Sequence, residues 1–247
     1  MILTPVQAFG LAFHRPLATR LPGIFHRLCC RLFGFTIVVR GKAVTDVPIL
    51  FVGNHTSYLD IMVLGSIIDG SFVAKAEVAK WPLFGLLAKL QRTVFVERRP
   101  AKTARQRDEI GARLAAGDRL ILFPEGTSDN GITVLPFKSA LFAVAERAVG
   151  NVPLTVQPFS LCYTALGGLP VGREWRPLLS WYGDMGMVAH AWRVLTFNSV
   201  RAEVRFHEPV TIDRYGSRKA LADHCFEVVR QGVAAANAGR PHLPAPS

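Results

Sequence analysis

Residues 49–60 read ILFVGNHTSYLD, an uncharged apolar run followed directly by polar and reactive side chains. The run Ile49–Val52 predicts a buried strand, and residues 57–68 predict the helix that follows it. His55 lies in the turn between the two, where α/β proteins commonly expose their reactive groups. This stretch therefore predicts one strand–turn–helix unit of an α/β fold.

The same alternation of apolar runs and helical patterns continues along the chain. We predict strands at 35–39, 49–52, 71–74, 93–96, 119–123, 152–163 and 202–206, and helices at 57–68, 81–90, 101–116, 137–149 and 217–236. Alternating strands and helices are typical of an α/β fold with a mixed, largely parallel sheet flanked by helices on both faces. Residues 164–200 are rich in aromatic side chains and glycine and give no clear assignment.

The composition excludes a disordered chain, because 50% of the 247 residues are hydrophobic and 19% are charged. The formal net charge is +11. A basic and apolar protein suits either a nucleic acid or an anionic membrane surface. We find no recognition helix, zinc finger or RNA-binding motif, so we favour the membrane and expect no nucleic-acid partner.

The four cysteines lack the spacing of a metal site, and we expect no metal.

Residues 1–40 contain five arginines, and no acidic residue precedes Asp46. Large apolar residues lie between the arginines, which predicts an amphipathic helix or helical hairpin in the plane of a membrane interface. The alternative is an ordinary amphipathic helix packed on the core.

The longest stretch without charge or histidine, 148–172, contains three prolines, so we expect no spanning helix. We divide the chain into an interfacial segment at 1–34, a main domain at 35–240 and a disordered tail at 241–247.

His55 and Asp60 form the strongest candidate pair. A carboxylate on one imidazole nitrogen fixes the tautomer and leaves the other nitrogen free to take a proton from a substrate hydroxyl. The alternative is structural: Ser57 and Asp60 resemble a helix capping box, and His55 is then a hydrogen-bonded core histidine. The chain contains no G-x-S-x-G, Walker or G-x-G-x-x-G motif, which argues against the common hydrolases, nucleotide hydrolases and dinucleotide enzymes.

Two further polar groups follow predicted strands. The run Phe123–Ser128 reads FPEGTS, which suits a polyol or an anion, or is simply a turn. Arg98 follows the strand at 93–96 and suits a bidentate contact with a phosphate or carboxylate. Because the carboxyl ends of parallel strands meet at one edge of a sheet, we expect these groups and His55 to share a crevice.

Together these blocks resemble the glycerolipid acyltransferase family, which includes 1-acylglycerol-3-phosphate acyltransferases. The resemblance spans about residues 35–165 and rests on four blocks in order: Asn54-His55 through Asp60, Phe95-Val96-Glu97-Arg98, Phe123-Pro124-Glu125-Gly126-Thr127, and Val152 through Pro158. It implies that His55, oriented by Asp60, deprotonates a lysolipid hydroxyl, which then attacks the thioester of acyl-CoA or acyl-carrier protein. It implies no covalent acyl-enzyme and no other cofactor.

The resemblance also implies acceptor-binding residues: Asn54, Arg98, Glu125, Gly126, Thr127 and Lys138. The family usually places an arginine after Glu-Gly-Thr, but this chain has Ser128 followed by Asp129, an acid that would repel a phosphate. That variant is similar to bacterial members that include lyso-ornithine lipid acyltransferases. Formation of phosphatidic acid from 1-acyl-sn-glycerol-3-phosphate is the commoner family activity, and acylation of a lyso-ornithine lipid is the alternative. Arg92, Arg98 and Lys138 remain candidates for binding phosphate.

The resemblance places such an enzyme on the cytoplasmic face of a bacterial inner membrane, as a peripheral or monotopic protein. Its partners are then the acyl donor thioester, the lysolipid acceptor and an anionic membrane surface. A scaffold that lost activity is disfavoured by the intact His55–Asp60 pair. The tryptophans of 164–200 line an acyl channel, add to the membrane surface, or form a buried satellite core.

Overall fold

The computed structural model describes residues 3–13, 15–45, 48–97, 103–146 and 152–240. In this part of the chain the strands are β1 Phe35–Arg40, β2 Ile49–Gly53, β3 Ser71–Lys75, β4 Val94–Val96, β5 Arg119–Leu122, β6 Thr155–Leu166, β7 Leu169–Pro170 and β8 Val200–Phe206. The α-helices are α1 Leu3–Phe13, α2 Arg15–Leu32, α3 Leu59–Ile67, α4 Phe84–Leu90, α5 Thr103–Ala115, α6 Met187–Leu195 and α7 Arg218–Asn237. Short 3₁₀ helices cover Ala76–Lys80, Ser139–Glu146, Arg173–Leu178 and Ile212–Arg214.

The strands form one sheet in the order β1-β8-β6-β2-β5-β3-β4, and β7 pairs with β6. The pairs β1–β8, β2–β5, β2–β6, β3–β4 and β3–β5 are parallel, whereas β6 runs antiparallel to β7 and β8. The predicted mixed, largely parallel sheet is therefore confirmed.

Strand β2 lies at the centre of the sheet and is buried on both faces. Ile49 and Phe51 belong to one hydrophobic cluster, and Leu50 and Val52 belong to the cluster on the other face, as strand alternation requires. Gly53 ends the strand against β6, and a Cβ at this position would overlap the ring and carbonyl of Phe159. The close approach brings β6 beside the turn that carries His55.

The structure shifts some element boundaries. Helix α4 begins at Phe84 rather than at Trp81, because Ala76–Lys80 already forms a 3₁₀ helix and Leu83 has a positive φ of 60°. Strand β6 begins at Thr155, two residues after Pro153, which has no N–H to donate to a ladder. The helix predicted at 137–149 is a 3₁₀ helix at Ser139–Glu146, and its last residues lie outside the described part of the chain.

The N-terminal residues form a hairpin of two helices, α1 and α2, and the membrane-associating role of this segment stays a prediction. Helix α2 packs on α3, and its buried residues include Leu21 and Cys30. Its exposed residues mix arginines with aliphatic side chains: Arg20, Ile24, Arg27, Leu28, Arg31 and Leu32. No helix among the described residues combines the length and apolarity that crossing a bilayer requires. The predicted domain boundaries stay predictions, and the tail at 241–247 lies outside the described residues.

Candidate active site

Two turns leave the sheet at the same edge, because β2 and β5 are parallel neighbours. The turn after β2 carries His55, and the turn after β5 carries Glu125 and Asp129. The backbone N–H of His55 donates to Glu125 Oε1 at 2.6 Å, and the backbone N–H of Asp129 donates to the His55 carbonyl at 3.1 Å. These contacts confirm that the two blocks meet at one edge of the sheet. The backbone N–H and the carbonyl of His55 are both hydrogen-bonded to the turn after β5.

His55 and Asp60 are in direct contact. His55 Nδ1 lies 2.9 Å from Asp60 Oδ2, and the side chain of Asp60 is fully buried while that of His55 is 21% exposed. Asp60 Oδ2 also accepts the backbone N–H groups of Thr56 at 2.7 Å and Ser57 at 3.0 Å. Because a carboxylate oxygen accepts, Nδ1 carries the ring proton, and Nε2 is left as an acceptor toward the partly open side.

The second oxygen of Asp60 has two hydroxyl donors that sequence reasoning missed. Thr56 Oγ1 lies 3.1 Å from Oδ1, and the Tyr163 hydroxyl lies 2.6 Å from it. Burial raises the pKa of Tyr163 well above its ordinary value, so the phenol stays neutral and donates. Tyr163 lies on β6, and no sequence pattern links it to Asp60.

The plane of the His55 ring is fixed by Phe123. The two rings stack with centroids 4.1 Å apart and an interplanar angle of 15°. Phe123 is itself packed between Phe72 and Phe159, each with its centroid at 6.2 Å. The sequence indicated Phe123 only as part of a block, whereas the structure makes it the surface that supports the imidazole.

Glu125 is 2% exposed and accepts two backbone N–H groups, one from His55 and one from Leu135 at 2.8 Å. Burial raises the pKa of its carboxyl to about 8, against the opposing effect of these two donors. The Glu125 side chain is therefore engaged inside the protein and positions His55, and its role in binding the acceptor stays a prediction.

The side chain of Asn54 is also engaged inside the protein. Its amide nitrogen donates to the Leu161 carbonyl and its amide oxygen accepts the Leu161 N–H, both at 2.8 Å. The residue is 2% exposed. Asn54 therefore ties the turn that carries His55 to β6, and its role in binding the acceptor stays a prediction.

Gly126, Thr127 and Lys138 do lie together at the exposed side of the loop. Gly126 has a φ of +69°, and a Cβ at this position would lie 2.7 Å from Lys138 Nζ. The Lys138 backbone N–H donates to the Pro124 carbonyl at 3.0 Å, which anchors its chain segment to the same turn. This arrangement brings one ammonium group to the loop that follows β5.

Arg92, one of the two predicted arginines, does not join this group. Arg98 lies outside the described residues. Arg92 Nη2 donates to both carboxylate oxygens of Asp118, at 2.7 and 3.0 Å, and Arg113 pairs with the same carboxylate. This cluster borders a cavity of about 430 Å³ at the amino ends of β3 and β5, the opposite edge of the sheet. Arg92 is therefore excluded from the candidate site, and its role is structural.

The segment 164–200, which the sequence left unassigned, forms a wall of the site. Ser128 Oγ donates to the Trp181 carbonyl at 2.6 Å, and the Trp181 N–H donates to the Thr56 carbonyl at 2.8 Å. The Trp181 ring meets Tyr58 at 6.0 Å and Trp81 at 5.9 Å between centroids. Ser128 therefore uses its hydroxyl to hold this wall against the turn.

We expect Glu125→Gln to lower kcat/KM roughly 10- to 100-fold. The new amide nitrogen is a donor and would face one of the two backbone N–H donors, so a hydrogen bond that holds the His55 turn is lost. A carboxyl whose pKa rises from 4.5 to about 8 on folding contributes stability that is present below pH 4.5 and lost as the pH rises through 8. Urea unfolding at several pH values should show this component in the wild type and not in the variant. An identical pH dependence in both proteins would contradict the assignment.

Comparisons with known proteins show the family and the fold of this chain. Residues 36–162 match the family model described as Acyltransferase. A lyso-ornithine lipid O-acyltransferase of Brucella abortus is 46% identical over 242 residues, which covers 96% of this chain and 91% of that protein. A 1-acyl-sn-glycerol-3-phosphate acyltransferase of Neisseria gonorrhoeae is 29% identical over 187 residues, 75% and 69% of the two chains. The crystal structure of the 1-acyl-sn-glycerophosphate acyltransferase of Thermotoga maritima matches with a TM-score of 0.66 and 26% identity, covering 91% of this chain and 82% of that one.

Proposed function

This chain belongs to the acyltransferase family, and we propose that it transfers a fatty acyl group from an acyl thioester to the hydroxyl of a lyso-ornithine lipid. The observation that carries the choice of acceptor is the Ser128–Asp129 pair beside His55. Ser128 is bonded to the Trp181 carbonyl, and the Asp129 backbone is bonded to the carbonyl of His55. The similarity to the Brucella abortus enzyme extends over nearly the whole chain, which supports the same acceptor.

The chemistry begins with a proton transfer to His55. Nε2 takes the proton of the acceptor hydroxyl while Nδ1–H remains bonded to Asp60. The hydroxyl oxygen forms a bond to the thioester carbonyl carbon, the carbon–sulfur bond breaks, and the leaving thiolate takes the proton from the imidazolium. A buried carboxylate 2.9 Å from Nδ1 stabilises the charge that the ring acquires. Within the described part of the chain no serine or cysteine side chain bonds to the His55 ring, which favours direct transfer.

The charges at the mouth of the site suit a zwitterionic head group. A lyso-ornithine lipid carries an amine and a carboxylate, whereas lysophosphatidic acid carries a phosphate monoester. The Asp129 carboxylate, held by Thr133 Oγ1 at 3.2 Å, suits the amine, and Lys138 suits the carboxylate. The same Asp129 repels a phosphate, and Lys138 is then required to offset that repulsion.

The basic surface also suits the acyl donor and the membrane. A net charge of +11 favours a donor with phosphates or an acidic carrier, either acyl-CoA or acyl-carrier protein. The exposed side of the α1–α2 hairpin carries Phe9 and Leu28, 58% and 49% exposed, together with the arginines of α2. This pattern supports peripheral attachment to anionic lipids, which we place on the cytoplasmic face of a bacterial inner membrane.

The test offers lyso-ornithine lipid and lysophosphatidic acid side by side with radiolabelled acyl-CoA and acyl-carrier protein. We expect a preference of at least about tenfold for the ornithine lipid in kcat/KM, since one charge-assisted contact contributes about that much. Asp129→Asn should lose most of this preference, whereas Asp223→Asn, on an exposed acid of α7, should retain it. Equal or faster labelling of phosphatidic acid by the wild type would overturn the choice of acceptor.

A further inference from the structure

Helix α6 presents opposite faces to the protein and to solvent. His190 and Val194 are 3% and 0% exposed, whereas Val188, Trp192 and Leu195 are 83%, 72% and 38% exposed. The exposed residues recur at intervals of four and three, so they form one stripe along the helix. A stripe of one tryptophan and two aliphatic residues is an unpartnered apolar face.

The buried face of α6 is hydrogen-bonded to Tyr58, in the segment between His55 and Asp60. His190 Nε2 donates to the Leu178 carbonyl at 3.1 Å, because a carbonyl only accepts, and His190 Nδ1 therefore accepts the Tyr58 hydroxyl at 3.0 Å. Tyr58 lies between His55 and Asp60 in the chain, and its ring meets His190 at 5.5 Å between centroids. A displacement of α6 would therefore reach the turn that carries the general base.

The carboxyl end of α6 adjoins the N-terminal hairpin. Asn198 follows the helix, and its carbonyl lies so close to Gly34 that a Cβ there would overlap it. The Val200 N–H donates to the Gly34 carbonyl at 3.0 Å. Gly34 is the second residue after α2, whose last residue, Leu32, is 74% exposed. The segment that follows α6 thus meets the chain just after α2, so the two helices with exposed apolar residues lie near one another.

We propose that α6 is a second bilayer-binding helix, whose stripe of Val188, Trp192 and Leu195 enters the boundary between lipid head groups and acyl chains beside α2. The inference rests on the proposed function, since the acceptor is a membrane lipid. The helix carries Arg193 and no acidic residue, which suits an anionic lipid surface. Tryptophan prefers this boundary because its ring is apolar and its N–H is polar.

The test uses flotation of the full chain with vesicles of phosphatidylglycerol and phosphatidylethanolamine. We expect Trp192→Glu and Val188→Asp each to lower the vesicle partition coefficient about tenfold or more, since each removes an apolar side chain that would enter the bilayer and adds a negative charge. Trp175→Glu is the matched control, because Trp175 is also exposed, at 60%, but lies on the 3₁₀ helix Arg173–Leu178. Leu32→Glu, on α2, measures the contribution of the α1–α2 hairpin to vesicle binding. The replaced side chains are exposed, so all variants should fold.

Acyl transfer to an acceptor dispersed in detergent separates the two proposals. We expect every variant to have wild-type activity in detergent. If the wild type itself transfers no acyl group in detergent, the proposed function is contradicted, and the role of α6 is not. Unchanged flotation of both α6 variants, or an equal loss in the Trp175 control, would overturn the role of α6. A concentration-dependent dimer that Trp192→Glu dissociates would assign the stripe to a second copy of the chain and would also overturn it.

Discussion

Replacing His55 by alanine is expected to lower kcat/KM for acyl transfer by about 10²- to 10⁴-fold, the usual contribution of a positioned general base. Nε2 of this ring is the acceptor that takes the proton from the acceptor hydroxyl. The backbone bonds of His55 to Glu125 and Asp129 do not involve the side chain, so the turn should persist. Steady-state rates with lyso-ornithine lipid, measured with saturating donor, give the loss directly.

Vesicle binding and stability serve as controls for this variant. The His55 side chain is only 21% exposed and belongs to the turn after β2, not to α1, α2 or α6, so flotation should be unchanged. His55→Gln should be equally inactive, because an amide nitrogen does not take a proton at neutral pH. Activity within tenfold of the wild type in either variant would refute the assignment of His55 as the general base.

The parts of this site that follow from local sequence were predictable. Ile49–Val52 is apolar and uninterrupted, so it indicates a buried strand, and the turn after such a strand must lie at its carboxyl end. The same reasoning applies to the strand before Phe123. Parallel pairing of the two strands then brings His55 and Glu125 together without any further information.

The parts that depend on distant pairing were not predictable. Tyr163 reaches Asp60 only because β6 pairs with β2 in one register. Trp181 bonds to Thr56 from an irregular segment whose sequence has no hydrophobic periodicity. Polarity also failed to distinguish inward from outward side chains. Asn54 and Glu125 look like ligands for an acceptor, yet both are buried and hold the backbone. Arg92 looks like a phosphate ligand, yet it lies at the amino end of its strand beside Asp118.

Asp60→Asn is expected to lower kcat/KM about 10³- to 10⁴-fold, although it changes one atom. Asp60 accepts five hydrogen bonds, from the ring of His55, the backbone of Thr56 and Ser57, and the hydroxyls of Thr56 and Tyr163. An amide nitrogen at either oxygen position faces a donor. If it faces His55, the ring must move its proton to Nε2, which then no longer accepts the proton of the substrate.

Tyr163→Phe distinguishes this effect from general weakening of the buried network. That variant removes one donor at 2.6 Å from Oδ1 and leaves the His55–Asp60 contact intact. We expect it to lose less than about tenfold in kcat/KM, although urea unfolding should show a destabilisation of about 1–3 kcal/mol. Asp60→Asn should lose a similar amount of stability and far more activity. Parallel losses of activity in the two variants would mean that Asp60 serves the fold of the turn, and that the tautomer of His55 is set by another group.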